Sequence, residues 1–478
     1  MPLIYEKSRK GRRAIVLDAL DVPDVEFPAA LGRAAAAELP EVGELDVVRH
    51  YTNLSRKNFG IDSHFYPLGS CTMKYNPKLA EAVASLAGFS QLHPHLSSSE
   101  AYWPLCQGAF ELIHDTESLL AEIAGMREAS LQPIAGAHGE LTGVLLIAAY
   151  HKDHGNSQKD TILIPDSAHG TNPASAAIAG FNVVEIPSGA DGVIHLDAVK
   201  AAMTDRVAGL MMTCPNTHGL FEPEVAKIAA MLHEADALLY YDGANLNAIV
   251  GKARPGDLGF DVMHYNLHKT FATPHGMGGP GSGPVGVGER LLPYLPGPRV
   301  VKGVNGYVLE TPPKSIGRVA QFFGNFMMAV RAYAYMRHLG KEGLPEVAEV
   351  AVLNANYVWS RLKDAFEPAF SARFMHECVF TATPQAKKGV RALDIAKALL
   401  DLGFHAPTVY FPLTVKESLM IEPTETESKE TLDAFCDAML EIANMIDSNP
   451  DALHQAPVTT PVGRLDEVRA ARQLNCAC

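Results

Sequence analysis

Between residues 105 and 288, short apolar runs alternate with longer stretches whose apolar positions recur every three or four residues. The runs at 161–164, 182–186, 207–213, 237–241, 261–266 and 284–287 are too short for helices and read as strands. The stretches at 105–124, 139–153 and 224–235 read as amphipathic helices. Strands that are apolar throughout predict burial on both faces. Their alternation with helices predicts a mainly parallel sheet covered on both sides. After a glycine-rich stretch at 276–288, helical periodicity returns at 318–338, 345–365, 392–402 and 429–446, with strands near 378–381 and 419–421. That part reads as a smaller α+β unit. Near the start, 29–38 looks helical, while 65–77 has Pro67 and Pro77 around Gly69 and reads as a loop. The expected organisation is an N-terminal arm (1–85), a large α/β domain (86–335) and a small C-terminal domain with a loose tail (336–478).

Composition narrows the function classes. The 478 residues are 47% hydrophobic and 20% charged, which suits a globular chain with a large core. Forty Lys and Arg against 54 Asp and Glu give a net charge of −14, and no segment gathers the basic charge of a nucleic-acid footprint. No apolar run approaches the ~18 residues of a membrane span. Seven cysteines, an odd and sparse set, argue against a disulfide scaffold and for a reducing compartment. The basic start lacks an apolar core and carries Glu6 and Asp18, so it reads as a solvated arm rather than a targeting peptide, and the expected location is the cytoplasm.

Four signals carry chemistry. Asp242 follows the strand at 237–241, and Lys269 lies just past the strand at 261–266. In a parallel sheet both would project at the carboxyl edge, where ligands bind. A lysine and a carboxylate there match the needs of pyridoxal phosphate: the lysine forms a Schiff base, and the acid keeps the pyridine nitrogen protonated. Taken alone, Asp242-Gly243 is also a turn signal and most lysines are solvated. Ala135-Gly-Ala-His-Gly-Glu140 opens a helix with small residues and could cradle a phosphate, or be an ordinary turn. His169 follows the strand at 161–164 and could lie on a cofactor ring or be structural.

Other patterns fail. Gly281-Ser-Gly-Pro-Val-Gly286 fits the dinucleotide fingerprint in letters, but Pro284 and the following Val-Gly-Val-Gly oppose the required helix. His93 with His95, and Cys476 with Cys478, offer two ligands each where structural zinc takes four, so no metal is expected. The Cys476/Cys478 tail and Cys71 are candidate redox thiols, with a solvated tail the expected reading.

Seven stretches together resemble glycine decarboxylase, the P-protein of the glycine cleavage system: PLGSCTMKYNP (67–77), QPIAGAHGE (132–140), DSAHGTNPASAAIAG (166–180), PNTHGLFE (215–222), YYDGANLNAI (240–249), NLHKTFATPHGMGGPGSGPVGVG (266–288) and MIEPTETESKETLD (420–433). Length and start resemble the second subunit of its two-subunit form. The resemblance implies pyridoxal-phosphate fold type I, the aspartate-aminotransferase-like α/β fold, with 86–335 binding the cofactor. It implies that Lys269 holds pyridoxal phosphate, that Asp242 pairs with the ring nitrogen, that Asn245 reaches the ring hydroxyl and that His169 stacks on the ring. Ala137, His138 and His268 are implied at the phosphate end. Met277 stands where the family has glycine, and Cys214 where it has a polar residue.

The implied reaction decarboxylates glycine and transfers the aminomethyl group to the lipoyl arm of the H protein. The implied partners are glycine decarboxylase subunit 1, in an assembly with two copies of each subunit, and the lipoylated H protein. Nucleic acid and membrane are not expected partners. The rival readings are another enzyme of the same fold, such as a cysteine desulfurase, and a non-catalytic structural subunit.

Overall fold

A computed structural model describes residues 2–23, 25–35, 37–276 and 281–474. Met277 and the Cys476/Cys478 tail, with the expectations attached to them, lie outside the described residues. The chain divides into two compact units, Met1–Gly60 with Thr460–Val462, and Ile61–Thr459 with Gly463–Cys478.

The first unit is largely irregular. The helix expected at 29–38 is reduced to a 3-10 turn at Ala29–Leu31, with Gly32 extended after it. Its residues are exposed. So short a stretch with no buried face lacks the packing that isolated short helices need. The helix of this unit is instead Glu44–Ser55, with Glu44 and Asp46 in its first turn, where the helix dipole favours acids.

The second unit contains a seven-stranded sheet. Its strands are β1 (Glu128–Ser130), β2 (Thr161–Pro165), β3 (Asn182–Ile186), β4 (Val207–Thr213), β5 (Leu238–Gly243), β6 (Val262–Tyr265) and β7 (Val285–Val287). The order is β1-β7-β6-β5-β4-β2-β3. From β6 to β3 every pairing is parallel, while β7 runs antiparallel to both neighbours. Strand β1 is too short and polar to show a period in sequence.

Burial explains the continuous apolar strands. Along β4 and β5, Leu210, Met212, Leu239 and Tyr241 join one core, whereas Met211, Leu238 and Tyr240 join another. Alternate residues point to opposite faces, so each strand feeds two cores. Helix α1 (Trp103–Ala124) supplies Phe110, Ile113 and Leu120 to the first, and α2 (Gly136–Asp153) supplies Val144, Leu146 and Ile147 to the second. Helix α3 (Thr171–Ile178) follows β2.

Beyond β7 comes a hairpin that the sequence pattern did not indicate, β8 (Arg299–Gly303) and β9 (Gly306–Glu310). The helix expected from 318 begins only at Phe326. Gly324 has φ +73° and packs against the Leu131 carbonyl, which leaves no room for a Cβ, so this segment is held as a loop. Helix α4 (Phe326–Leu362) then spans both helical stretches expected on either side of 340, with a non-helical Gly340 between them.

The remaining strands, β10 (Glu367–Pro368), β11 (Cys378–Thr381), β12 (Thr408–Val409) and β13 (Ser418–Ile421), form an antiparallel sheet in the order β10-β11-β13-β12. Helices α5 (Ala392–Asp401) and α6 (Lys429–Ser448) share its core through Ile395, Leu399, Phe435 and Ile442. Among the described residues no helix is long and apolar enough to cross a membrane.

Candidate active site

The parallel register sets Thr213 beside Asp242 and Asp242 beside His264 at the carboxyl ends of β4, β5 and β6. The loops that follow carry Asn245, Asn266, His268 and Lys269. Lys269, Asp242, Asn245, His169, Ala137 and His268 all line one cleft at this edge. His138 does not line it, and its Nδ1 accepts from the Ile134 N–H at 3.3 Å.

Asp242 is 2% exposed and meets three donors. Asn172 Nδ2 donates to Oδ2 at 2.9 Å, the Ala244 N–H donates to Oδ1 at 2.9 Å, and His264 Nε2 lies 3.4 Å from Oδ1. Burial works against the charge, yet His264, these hydrogen bonds and Lys269 outweigh it and hold the carboxyl below its usual value. Burial also pushes His264 down to about 4, so near pH 7 its imidazole is neutral. Its Nδ1 pairs with the Tyr240 hydroxyl at 2.9 Å. With that hydroxyl donating to Nδ1 at 2.9 Å rather than to the Gly139 carbonyl at 3.4 Å, Nε2 carries the ring proton toward Asp242. The carboxylate is therefore stabilised by aimed hydrogen bonds more than by a full positive charge.

Glu140, in the first turns of α2, shares Asn172: its Oε2 accepts from the same Nδ2 at 2.8 Å. Burial, then the neighbouring Asp242, pushes Glu140 up to about 8. Two adjacent buried carboxyls thus take opposite states at neutral pH, one ionised and one protonated.

Lys269 Nζ has no hydrogen-bond or ion-pair partner in the structure among the described residues, so the amine is free for a covalent bond. His268 turns Nδ1 to the Ser282 N–H at 3.3 Å. Burial, then His275 and Lys269, pushes it down to about 3, so it is neutral and carries its proton on Nε2. Asn266 was not singled out in the sequence. Its Nδ2 is buried without a partner among the described residues, and its Oδ1 stands 2.6 Å from where a Cβ on Gly136 would be. Gly136 is thus needed for the close approach of Asn266 to the α2 N-terminus. Ala137, Asn266 and His268 converge there, the arrangement that receives a phosphate.

His169 presents an exposed ring to the cleft. Thr171 fixes it through its hydroxyl at 2.8 Å and its N–H at 3.3 Å, both on Nδ1. Burial of the inner face holds its pKa below the usual imidazole value. Asn245 donates from Nδ2 to the carbonyls of Pro215 at 3.0 Å and Asn216 at 3.3 Å, and to Glu377 Oε1 at 3.3 Å. Cys214 is wholly buried, its thiol pushed up to about 12 by burial, and does not line the cleft. Cys71 is half-buried, and burial pushes its thiol above the usual value, which opposes thiolate formation. The segment after Pro284 is strand β7, so the glycine pattern there opens no helix and lacks the dinucleotide geometry.

The donor set fits pyridoxal phosphate. A free lysine amine, a charged buried carboxylate, an exposed imidazole face and an orphaned amide at a helix N-terminus match its aldehyde, ring nitrogen, ring and phosphate.

Comparisons with known proteins agree. Residues 347–458 match the glycine dehydrogenase C-terminal domain family, and residues 115–297 match aminotransferase class V. The chain resembles in fold a crystal structure of glycine decarboxylase (P-protein) in inhibitor-bound form, with TM-score 0.72 and 21% identity over 87% of this chain and 93% of that one. A cysteine desulfurase from Escherichia coli shares the fold at TM-score 0.62 and 16% identity, covering 83% and 98%. These likenesses establish the fold type I architecture. In sequence, the probable glycine dehydrogenase (decarboxylating) subunit 2 of Chlorobium chlorochromatii is 55% identical over 100% of this chain and 99% of its own. The corresponding protein of Listeria monocytogenes serotype 4b is 54% identical over 99% and 97%. At that identity over the full length of both, the chain belongs to the glycine dehydrogenase (decarboxylating) subunit 2 family.

Proposed function

We propose that this chain is the cofactor-bearing half of a glycine dehydrogenase that decarboxylates glycine and passes the aminomethyl group to the lipoyl arm of an H protein. It is a pyridoxal-phosphate-dependent enzyme. The observation that carries the reading is the meeting of Lys269 and Asp242 in one cleft, in a chain 54% identical to its named relatives. Its working partners are a first subunit, two copies of each per assembly, and the lipoylated H protein, in the cytoplasm.

When bound, pyridoxal phosphate supplies a sink for the electron pair left on glycine as carbon dioxide departs. Lys269 Nζ would hold it covalently and give way to the glycine amine. Asp242 would keep a proton at the pyridine nitrogen, which its three donors suit it to do by keeping it charged. His169 would cover one face of the ring, Asn245 would reach the ring hydroxyl, and Asn266, His268 and the α2 N-terminus at Ala137 would take the phosphate. His264, His268 and Glu140 are neutral at pH 7 despite their polarity. They therefore add little charge to a site where a poorly solvated carboxylate leaves more readily.

The test is exchange of labelled bicarbonate into the carboxyl of glycine, run with and without the first subunit and H protein. Exchange that needs this chain supports the reading. Sulfur release from cysteine without exchange would favour a cysteine desulfurase, and a colourless purified protein that catalyses neither would favour a structural subunit.

A further inference from the structure

Strands β11 and β13 run antiparallel with Cys378 opposite Ile421. Glu377 and Glu422 stand one step beyond that pair, facing each other across the end of the small sheet. They are 0% and 1% exposed. With His376 they bring two carboxylate oxygens and a ring nitrogen within 4.8 Å of one another. Neither glutamate has a role in the mechanism above, and neither lines the cleft.

Their hydrogen bonds differ. Glu377 has a donor on each oxygen: the Ser70 N–H at 2.8 Å on Oε2 and Asn245 Nδ2 at 3.3 Å on Oε1. Glu422 has the Thr72 N–H at 2.9 Å on Oε2, while its Oε1 has no hydrogen-bond partner among the described residues. The near neighbour of that oxygen is His376 Nε2 at 3.8 Å. Two carboxylates this close and this buried do not both ionise. One proton therefore stays in the pair, and Glu377 is the member whose two oxygens both meet donors from the cleft walls.

Both donors of Glu377 are walls of the cleft, since Ser70 and Asn245 line it. Ser70 sits at φ +67°, a left-handed conformation that a serine keeps only when held. Asn245 spends its Nδ2 on Glu377 and two carbonyls, so the atom it leaves for the cleft is Oδ1, an acceptor. We propose that Glu377 is a positioning residue of the cofactor site, and that it fixes Asn245 and the Ser70 turn. The inference rests on the placement of Asn245 at the cofactor ring.

Burial supports a retained proton. It pushes Glu422 up to about 7 and, with Glu422 beside it, Glu377 well above the carboxylate range, so the two titrate as a pair. The other titratable groups facing them among the described residues are Lys269 from the β6 loop, Cys71 from the 65–77 loop, Cys378 on β11, Glu425 beyond β13 and His376 itself.

The experiment follows the visible band of the cofactor-loaded protein against pH in the wild type, N245A, E377Q, E422Q and the N245A/E377Q double variant, with melting of the cofactor-free proteins alongside. E377Q places an amide N–H against a donor and releases Asn245. N245A and E377Q should each move the midpoint of the band by about one pH unit, the scale of one charge-assisted hydrogen bond. The double variant should move no further than N245A alone, because both act through one residue. E422Q, which replaces the member bonded to Thr72 and not to Asn245, should keep the wild-type midpoint. Additive shifts, or an E377Q that melts lower with an unmoved midpoint, would overturn the positioning role. A midpoint unmoved in N245A as well would overturn the placement of Asn245 together with this inference. Were E377Q not to fold, E422Q decides: a wild-type midpoint supports the assignment, and a shift as large as that of N245A overturns it.

Discussion

Lys74 Nζ lies 2.7 Å from Glu425 Oε1, with 1% and 9% of their side chains exposed. The ammonium also donates to Asn247 Oδ1 at 2.9 Å and Tyr335 Oη at 3.1 Å, so its three protons all have acceptors. Burial opposes the charge, yet Glu425 and Tyr335 outweigh it and hold the lysine above its usual value. This contact fastens the 65–77 loop to the segment after β13. Lys74→Met should cost about 3–5 kcal/mol, because it strands the Glu425 charge in the interior. The Lys74→Met/Glu425→Gln double variant should lose less than the single one. Urea unfolding of the wild type and the two variants gives both numbers. Equal losses in the single and double variants would contradict a buried pair.

Asp242→Asn should damage the fold as well as the chemistry. Asn172, Ala244 and His264 all aim donors at this carboxylate, and an amide must turn its own N–H against one of them. The cofactor-free variant should lose about 1–3 kcal/mol. Activity should fall further than that loss alone explains, since a neutral amide cannot keep a pyridine nitrogen protonated. Lys269→Ala should behave in the opposite way. Its Nζ has no partner among the described residues, so stability should change by about 0.5 kcal/mol or less while glycine exchange disappears. Melting of the cofactor-free proteins beside exchange assays separates the two cases.

The sequence made the sheet legible where strands are buried on both faces. Val207–Thr213 and Cys378–Thr381 begin and end where their apolar runs do, and so does Asn182–Ile186, although as an edge strand it buries only Ile186. Lys269 and Asp242 were legible because each comes just after an apolar run, and the register of a parallel sheet brings strand ends together. The reversed direction of β7 leaves no mark in a run as short as Val-Gly-Val. Asn266 hides because its importance comes from Gly136, 130 residues earlier, at a distance only folding sets. Glu377 hides for the same reason: its donors are 307 and 132 residues away. His138, the third residue of α2, does not line the cleft, and its Nδ1 is engaged by the Ile134 N–H.

Gly136→Ala tests the phosphate end. The new Cβ would stand 2.6 Å from Asn266 Oδ1, so the amide must shift. Glycine here begins α2, where alanine is a good helix former, so the fold should survive. Affinity for pyridoxal phosphate should drop about tenfold, the order of one lost hydrogen bond to a charged group. Titration of the cofactor-free protein by absorbance measures it. Unchanged affinity would remove Asn266 from the phosphate end.

Glu140 makes the pH dependence of stability readable. Its folded value is about 8, raised first by burial and then by Asp242, against a usual 4.5. Between those values the folded state holds a proton that the unfolded chain has released, so stability from this group falls as pH rises. Its contribution is complete below 4.5, declines through the window and stays lost above 8. The slope is about 1.4 kcal/mol per pH unit where the group is fully protonated folded and ionised unfolded. Asp242 has the opposite sign, but its carboxyl is held below 3.8, so its window lies at more acid pH. Glu140→Gln can still accept from Asn172 and has no proton to lose. The melting advantage of this variant over the wild type, both cofactor-free, should therefore be small at pH 5, grow steadily to pH 8 and then level off. An advantage that is flat across pH 5 to 8 would mean that Glu140 is ionised beside Asp242 in the folded protein, and the division of the two carboxyls into one acid and one base would be wrong.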